Sequence, residues 1–293
     1  MPYRRSGRSG LHLPALALGI QSAPGVLSRS PTPPGLIEHA IDFGITHFDI
    51  APLGSAEDVL YKTLSPTRSH RTELVISTRI GLGTRPGPTP GFGSRKHLLS
   101  GLDYVLQRTG LDYVDVLYAH RYDNQTPLDE TAGALATAVR TGKALYVGLS
   151  DYAPSALLHA SRLLQEAGTP AAAYQTSYSL FDRWADRGLL ETLARHGIGA
   201  IACAPLARAA LTPTHITDTA AVRELKKIAA ARGQTLPQLA ISWTLRTSHI
   251  TSALITTTRL PHLKENLTAL EHLDFTPQQL EALDRCCPSS TGM

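Results

Sequence analysis

Three apolar segments of the chain each carry a charged or titratable side chain near their carboxyl ends. Asp49 stands near the end of one segment, Arg79 ends the next, and His120 ends a third. A carboxylate in apolar surroundings is costly without a partner, arginine keeps its charge at any working pH, and histidine exchanges protons near neutrality. If the segments are neighbouring parallel strands, we expect the three side chains to meet at one edge. There they would form a candidate site for proton transfer or for holding an anionic oxygen.

Short apolar segments that we predict as strands must position these residues. The eight segments are Leu16–Ile20, one ending at Ala51, Leu74–Arg79, Tyr113–His120, Ala144–Ser150, Ala171–Tyr178, Ala200–Leu206 and Ile250–Thr256. Helical spacing and helix stop signals predict helices at Gly35–Gly44, Ser55–Leu64, His97–Thr109, Pro127–Gly142, Ser155–Ala167, Leu189–His196, Thr219–Arg232, Leu236–Arg246, His262–Glu271 and Pro277–Arg285. We also predict a small hairpin at the edge over Arg8–Pro14 and a long loop rich in Gly and Pro over Gly81–Ser94.

The predicted strands are continuous apolar runs, which indicates a parallel sheet covered on both faces. Eight strand and helix units within 293 residues predict an α/β fold, a (β/α)8 TIM barrel formed by residues 1–293 as a single domain. A doubly wound sheet is the alternative, but Gly19–Gly25 is not the Gly-rich fingerprint that would follow its first strand. In a barrel, the strand ends would bring six residues around one mouth: Asp49, Arg79, His120, Ser150, Gln175 and Tyr178. The alternative to a catalytic role for Asp49 and Arg79 is a structural ion pair that closes the mouth of the barrel.

Composition and charge are typical of a soluble globular protein and argue against nucleic-acid binding. Charged residues make up 18% of the chain, the net charge is +4, and the arginines are scattered rather than clustered. Cys203, Cys286 and Cys287 lack metal-ligand spacing, which favours a reducing cytoplasmic setting and no metal. No apolar run reaches membrane-spanning length, and His12 and Pro14 interrupt the only stretch that resembles a signal peptide.

The chain resembles the aldo-keto reductases, and most closely the branch related to the potassium-channel beta subunits and their bacterial relatives. The motifs that carry the resemblance extend over nearly the whole length. They are Gly7-Arg-Ser-Gly-Leu-His-Leu-Pro14, Gly54-Ser-Ala-Glu57, Gly93-Ser-Arg-Lys96, Gly142-Lys-Ala-Leu-Tyr-Val-Gly-Leu-Ser150, Ala204-Pro-Leu-Ala207, Gly233-Gln-Thr-Leu236 with Trp243, and Arg259 followed by Glu265-Asn266.

The resemblance implies NADPH-dependent carbonyl reduction by four residues, a Tyr, a Lys, an Asp and a His. Asp49 matches the Asp, His120 matches the His, and Arg79 takes the place of the Lys. The Tyr would lie about five residues after Asp49, but the segment from Pro52 to Ser55 is shortened and contains none. Arginine cannot release a proton, so His120 would become the donor, or a tyrosine from a neighbouring segment, Tyr122 or Tyr61, would swing in.

The resemblance also implies an NADPH site built from strand ends and their loops. Ser150, Asp151 and Gln175 would hold the nicotinamide carboxamide, and Tyr178 would stack on the ring. The remaining residues implied for the cofactor are Leu206, Thr258, Arg259, Glu265 and Asn266. The loop Arg208–Asp218 is shorter than in relatives, and Thr256 replaces a glycine, so weakened binding is expected.

Three functions remain open. One is an atypical NADPH-dependent oxidoreductase acting on a carbonyl or imine of a small molecule. Another is a redox-silent dehydratase, cyclase or isomerase that uses Asp49, Arg79 and His120. A third is a non-catalytic protein that senses NADP and binds a protein partner. A composition rich in Ala, Arg and Thr suggests a bacterial source and a role in specialised metabolism.

Overall fold

The computed structural model describes residues 1–20, 32–50, 68–81, 92–207, 210–212 and 219–287. The strands are β1 (Tyr3–Arg5), β2 (His12–Pro14), β3 (Leu16–Ile20), β4 (His47–Ile50), β5 (Val75–Gly81), β6 (Val114–His120), β7 (Ala144–Ser150), β8 (Ala171–Ser177), β9 (Gly199–Cys203) and β10 (Ile250–Ile255). The helices are α1 (Pro34–Asp42), α2 (Arg95–Thr109), α3 (Leu128–Arg140), α4 (Pro154–Glu166), α5 (Leu189–His196), α6 (Ala220–Ala231), α7 (Leu236–Leu245), α8 (Leu260–Thr268) and α9 (Pro277–Cys286). Short 3-10 turns occur at Arg68–Glu73, Trp184–Asp186 and Ala269–Glu271.

Strands β3 to β10 close into a barrel in chain order. Every neighbouring pair is parallel, including the β10–β3 pair that completes the ring. Helices follow most strands and cover the outer face, which explains why the strands are apolar on both sides. The (β/α)8 barrel predicted from the sequence is therefore confirmed.

The side chains of the barrel strands divide between two apolar clusters. The inner cluster fills the barrel and consists of Leu11, Leu13, Ala17, Val116, Tyr118, Ala173, Ile201 and Leu254. The outer cluster lies between strands and helices and includes Phe48, Ile80, Leu117, Leu149, Tyr174 and Ala202. Successive strand residues alternate between the two clusters, as the period of two requires. This alternation decides which polar residues can face the barrel axis.

The hairpin at the amino terminus lies across one end of the barrel. β1 pairs antiparallel with β2, so the hairpin begins five residues before the predicted Arg8. The Ser6 hydroxyl donates to the Ala172 carbonyl at 2.8 Å. The Arg4 guanidinium donates to the carbonyls of Leu245 and Ile250 at 2.8 and 2.6 Å. These bonds tie the hairpin to the barrel end rather than to a sheet edge, and they leave the carboxyl ends of the strands as the mouth.

Element ends differ from the prediction by a few residues. β5 runs to Gly81, two residues past Arg79, whereas β9 stops at Cys203, before the predicted Leu206. The predicted helix Ser55–Leu64 and most of the loop Gly81–Ser94 lie outside the described residues. Among the helices that the structure describes, none has both the length and the apolar character needed to cross a membrane.

Candidate active site

Asp49 is the centre of a polar layer just below the mouth. It lies on β4 beside Ser77 of β5, and its side chain is 1% exposed. The Oδ2 atom forms an ion pair with Arg79 Nη2 at 3.1 Å. The Oδ1 atom accepts hydrogen bonds from Ser77 Oγ at 2.7 Å and Gln175 Nε2 at 3.0 Å. One cation and two neutral donors therefore compensate for the burial of this carboxylate.

Arg79 is the member of the ion pair that reaches the solvent at the mouth. Its side chain is 25% exposed, and Asp49 raises the pKa of the guanidinium, which outweighs the opposing effect of burial. Arg79 therefore stays charged, and the mouth presents a cation held from beneath by a carboxylate. The sequence prediction that Asp49 and Arg79 meet agrees with this geometry.

His47 lies deeper in the barrel and completes a chain of donors toward Asp49. Its Nε2 atom is 2.9 Å from Ser77 Oγ. Ser77 donates its only proton to Asp49, so it can only accept from His47. The hydrogen-bond network therefore assigns a proton to His47 Nε2, which donates to Ser77 Oγ. The side chain is fully buried, and burial lowers the pKa of His47 to about 4, so it is neutral near pH 7. Sequence reasoning did not find His47 or Ser77, although both lie two residues before a site residue and so face the same side of their strands.

His120 forms a second polar pair at the mouth with Ser150. The two residues are register partners on β6 and β7, and His120 Nδ1 lies 3.0 Å from Ser150 Oγ. The Asp151 carboxylate is further away, at 4.0 Å from the same nitrogen. Burial, followed by the nearby Arg79 charge, lowers the pKa of His120 below its ordinary 6.5. The imidazole is 20% exposed, so a molecule in the mouth can reach it.

The backbone turns sharply directly after three of the strand ends. Arg121, Asp151 and Ala204 have φ angles of 65°, 55° and 52°. Such left-handed angles cost a residue other than glycine about 1 kcal/mol, and they occur often at functional sites. The turns follow His120, Ser150 and Cys203, so Cys203 ends its strand in the same way as the two other site residues.

Cys203 is a site residue that the sequence argument passed over. It ends β9, is partly exposed, and interacts electrostatically with Arg79, Asp49 and Asp151. Burial raises the pKa of its thiol to about 12, so the thiol stays protonated near neutrality. The strand-end rule could not find it, because the predicted strand ran on to Leu206 and placed Cys203 in its middle, whereas β9 ends at Cys203.

Tyr178 does not lie at the mouth, contrary to the prediction. Ala173, Gln175 and Ser177 follow one face of β8 into the barrel, so the next residue faces the helices. The Tyr178 ring is fully buried and stacks on Trp243 with centroids 5.1 Å apart. Its hydroxyl donates to Asp186 at 2.6 Å and accepts from Arg246 at 2.9 Å. No face of this ring is left for a nicotinamide.

The other residues predicted for the cofactor divide between the mouth and helix α8. Gln175 is buried and bonded to Asp49, while its Oε1 atom has no partner among the described residues. Leu206 is half-buried in the turn that follows β9. Arg259 is exposed and directly precedes α8, and Thr258 lies beside it. Glu265 is half-buried and Asn266 is buried on that helix. Only four residues separate the end of β10 from α8, so the amino end of α8 and Arg259 provide amide donors and a cation suited to a phosphate.

A family model supplies the identification. The model of the Aldo/keto reductase family matches residues 32–288. The chain belongs to this family. The missing tyrosine and the shortened segment near Pro52 fall on residues that the structure does not describe, so the loss of the donor remains a prediction for this aldo/keto reductase.

Similar proteins are known by sequence and by structure. The L-glyceraldehyde 3-phosphate reductase of Escherichia coli K12 is 41% identical, over 97% of this chain and 92% of that protein. A putative voltage-gated potassium channel subunit beta of Schizosaccharomyces pombe is 31% identical, over 97% and 92%. The crystal structure of a thermostable aldo-keto reductase with the inhibitor epalrestat superimposes with a TM-score of 0.83 at 30% identity, over 98% of this chain and all of that one.

Proposed function

We propose that this aldo/keto reductase is an NADPH-dependent oxidoreductase that reduces a carbonyl or imine group of a small molecule. We further propose that it works in the bacterial cytoplasm as a single domain of 293 residues, in specialised metabolism. The observation that carries the proposal is the pairing of two dyads at one mouth. The ion pair of Arg79 with Asp49 joins β4 and β5, and the contact of His120 with Ser150 joins the adjoining strands β6 and β7.

Two features of the chain fit NADPH and one does not. The amino end of α8 behind Arg259 fits a phosphate group. Gln175 Oε1, which has no partner among the described residues, fits the N–H of a carboxamide. Tyr178 does not fit as a stacking residue because its ring is covered by Trp243. When bound, NADPH supplies a hydride to the carbon that is reduced.

The residues of the chain then hold the substrate oxygen and supply its proton. Arg79 stabilises the negative charge that develops on the oxygen, and Asp49 fixes the orientation of the guanidinium. His120 donates the proton that completes the alcohol. Because the pKa of His120 is lowered, only a small fraction of the imidazole is protonated at pH 7. A substrate that is already an iminium needs no such proton.

The pH dependence of turnover tests the role of His120. With a neutral carbonyl substrate, kcat/KM for NADPH oxidation is expected to rise as the pH falls below 6.5, because more His120 is protonated. His120→Gln should remove this rise and lower the rate by about 10²–10⁴. A rise that persists in His120→Gln would contradict the assignment of His120 as the donor.

Nucleotide binding tests the proposal as a whole. Purified protein is titrated with NADPH while nicotinamide fluorescence and thermal stability are followed together. Micromolar binding with a rise in stability, followed by NADPH oxidation with a carbonyl or imine compound, is the expected result. Absence of binding up to millimolar NADPH would overturn the proposal.

A redox-silent enzyme is the second candidate, and the charge on Arg79 favours it. A permanent cation beside His120 suits proton abstraction next to a carbonyl whose enolate oxygen Arg79 would hold. This candidate predicts substrate turnover without added nucleotide that is lost in His120→Ala. Nucleotide binding without any turnover would instead favour the third possibility, an NADP-sensing protein with a protein partner.

A further inference from the structure

A cavity lies at the end of the barrel opposite to the mouth. Its volume is about 770 Å³, which falls within the roughly 300–1,000 Å³ of small-molecule sites. Its walls are the amino ends of β7 and β8, one face of α4, the turn of the hairpin, and the residues between α5 and β9. None of the residues of the candidate active site lines it. The cavity is therefore separate from the mouth.

The layer of helices leaves an apolar strand residue uncovered in this cavity. Leu145 of β7 lies on the same face of the strand as Val147 and Leu149, which are buried in the outer cluster. Residues on that face are expected to be covered by helices, but Leu145 is 47% exposed. Leu158 of α4 is 37% exposed and lines the same cavity. The two leucines therefore give the cavity an apolar surface that a ligand can cover.

One face of α4 forms a long wall of the cavity. The residues on this wall follow helical spacing, and they are Leu158, Ser161, Arg162, Gln165 and Glu166. The Ser161 Oγ atom is buried and has no hydrogen-bond partner among the described residues. Buried hydroxyl groups are seldom left without a partner, so Ser161 is available to donate to a polar group in the cavity.

The charged groups that line the cavity carry a positive balance. Arg8 and Arg162 are the cations and Glu166 is the carboxylate. Arg162 and Glu166 are 3.8 Å apart and exposed, so their ion pair is weak. The exposed Arg8 guanidinium donates to the His196 carbonyl, and no carboxylate of the described residues pairs with it. The cavity is therefore complementary to a ligand with one negative charge.

We propose that this cavity binds a small amphipathic carboxylate. The apolar body of the ligand removes Leu145 and Leu158 from water. Its carboxylate forms charge-assisted hydrogen bonds with Arg8 and accepts a hydrogen bond from Ser161. A single negative charge matches the balance of the lining groups better than a phosphate dianion does. The proposal goes beyond the proposed reductase function, because the cavity shares no residue with the candidate active site.

Binding of decanoate to the purified protein, measured by titration calorimetry, tests the proposal. Leu145→Asp and Leu158→Asp should each weaken binding by about tenfold or more, because each removes an apolar contact and adds a like charge. Arg8→Gln should weaken binding by about three- to tenfold through the loss of a charge-assisted hydrogen bond. All three residues are exposed, so these substitutions are expected to leave the fold intact.

Matched controls separate the cavity from the rest of the surface. Phe181→Asp makes the same kind of change at a residue that is 42% exposed and follows the carboxyl end of β8, on the side of the mouth. Arg195→Gln removes an exposed arginine of α5 that does not line the cavity. Both variants should bind decanoate as the wild type does. Decyltrimethylammonium, which has a similar chain and the opposite charge, should bind much more weakly than decanoate.

Four results would overturn the proposal. They are no binding of decanoate to the wild type up to millimolar concentration, unchanged binding in both leucine variants, weaker binding in Phe181→Asp instead, and equal binding of decanoate and decyltrimethylammonium. A dimer in sedimentation velocity that decanoate leaves intact and that Leu158→Asp dissociates would also overturn it, because a second copy of the chain would then cover the cavity. NADPH binding should be the same in all these variants, so failure of the reductase proposal leaves this inference standing.

Discussion

At the scale of single residues, the stability of the site depends on how Asp49 is compensated. The carboxylate is almost fully buried, and its partners are Ser77 and Arg79 of β5 and Gln175 of β8. Removing one member of a buried ion pair leaves a charge that the remaining donors compensate only in part. The ion pair itself is expected to contribute little net stability. Removal of one partner is expected to destabilise the fold because it leaves the other charge buried and unpaired.

Arg79→Met is expected to lower the free energy of unfolding by about 3 kcal/mol at pH 7, because Asp49 then keeps only Ser77 and Gln175 as donors. Denaturant unfolding measures the change. The double variant Asp49→Asn with Arg79→Met should recover at least half of the loss, since no charge stays unpaired.

The control for this variant is an exposed ion pair. Arg162 and Glu166 lie 3.8 Å apart on α4, with side chains 68% and 61% exposed. Arg162→Met should change the free energy of unfolding by less than about 1 kcal/mol. A loss of similar size in Arg79→Met would show that Asp49 needs no cation.

At the scale of the element, the alternation of side chains along each strand decides which residues reach the mouth. Gln175 and Ser177 face inward on β8, and Tyr178 faces the helices. The sequence motif alone did not reveal this, because Tyr178 lies one residue beyond the strand. Its neighbours in space, Trp243 and Arg246, come from α7 and the residue that follows it.

Tyr178→Phe should lower the free energy of unfolding by about 1–2 kcal/mol, because Asp186 and Arg246 lose their common partner. The dissociation constant of NADPH should stay the same, since the ring is covered by Trp243. Thermal unfolding and fluorescence titration measure the two quantities. Weaker NADPH binding at unchanged stability would contradict this placement and would show that Tyr178 contacts the nucleotide.

Close packing inside the barrel gives a second expectation at this scale. A Cβ atom on Gly148 of β7 would lie 2.3 Å from the Tyr118 ring and 2.7 Å from the Ala173 carbonyl. Gly148→Ala is therefore expected to destabilise the fold by about 1–3 kcal/mol through overpacking. A Cβ on Gly35 in α1 meets nothing within 4 Å, so Gly35→Ala should be neutral or stabilising by up to about 1 kcal/mol. Chemical denaturation measures the free energy of unfolding of both variants. Equal changes in Gly148→Ala and Gly35→Ala would contradict the packing argument.

At the scale of the whole molecule, the closed barrel isolates His47 from water. The hairpin covers one end, and the layer of Asp49, Arg79 and Gln175 covers the histidine from the mouth side. The pKa of His47 in the folded state is about 4, below its ordinary 6.5. As the pH falls, the unfolded chain takes up this proton first, so the stabilising contribution is complete above pH 6.5 and is lost as the pH falls toward 4.

The free energy of unfolding should therefore fall between pH 6.5 and pH 4, with about 3 kcal/mol of the decrease due to His47. In His47→Asn this part should be missing, so its stability curve should be flatter over the same range. His159→Asn, a change at an exposed position on α4, should keep the slope of the wild type. Equal slopes for wild type and His47→Asn, measured by denaturant unfolding at several pH values, would show that His47 takes up its proton without unfolding.

The sequence by itself determined the barrel and predicted five residues of the candidate site, Asp49, Arg79, His120, Ser150 and Gln175. Eight apolar runs alternating with helical patterns permit few architectures, because each run must be covered on both faces. The rule that strand ends meet at one mouth then placed Asp49, Arg79 and His120 together, since parallel strands share their direction. Local signals were sufficient for these residues because each one interrupts an apolar run.

Only the tertiary structure decided which other side chains share that space. His47, Ser77 and Cys203 lie in the candidate site and Tyr178 lies outside it, because pleating sends successive side chains to opposite faces and because β9 ends at Cys203, three residues before the predicted end. Residue types fix which chemistry is available, but barrel closure and the inward or outward direction of each side chain fix which groups meet.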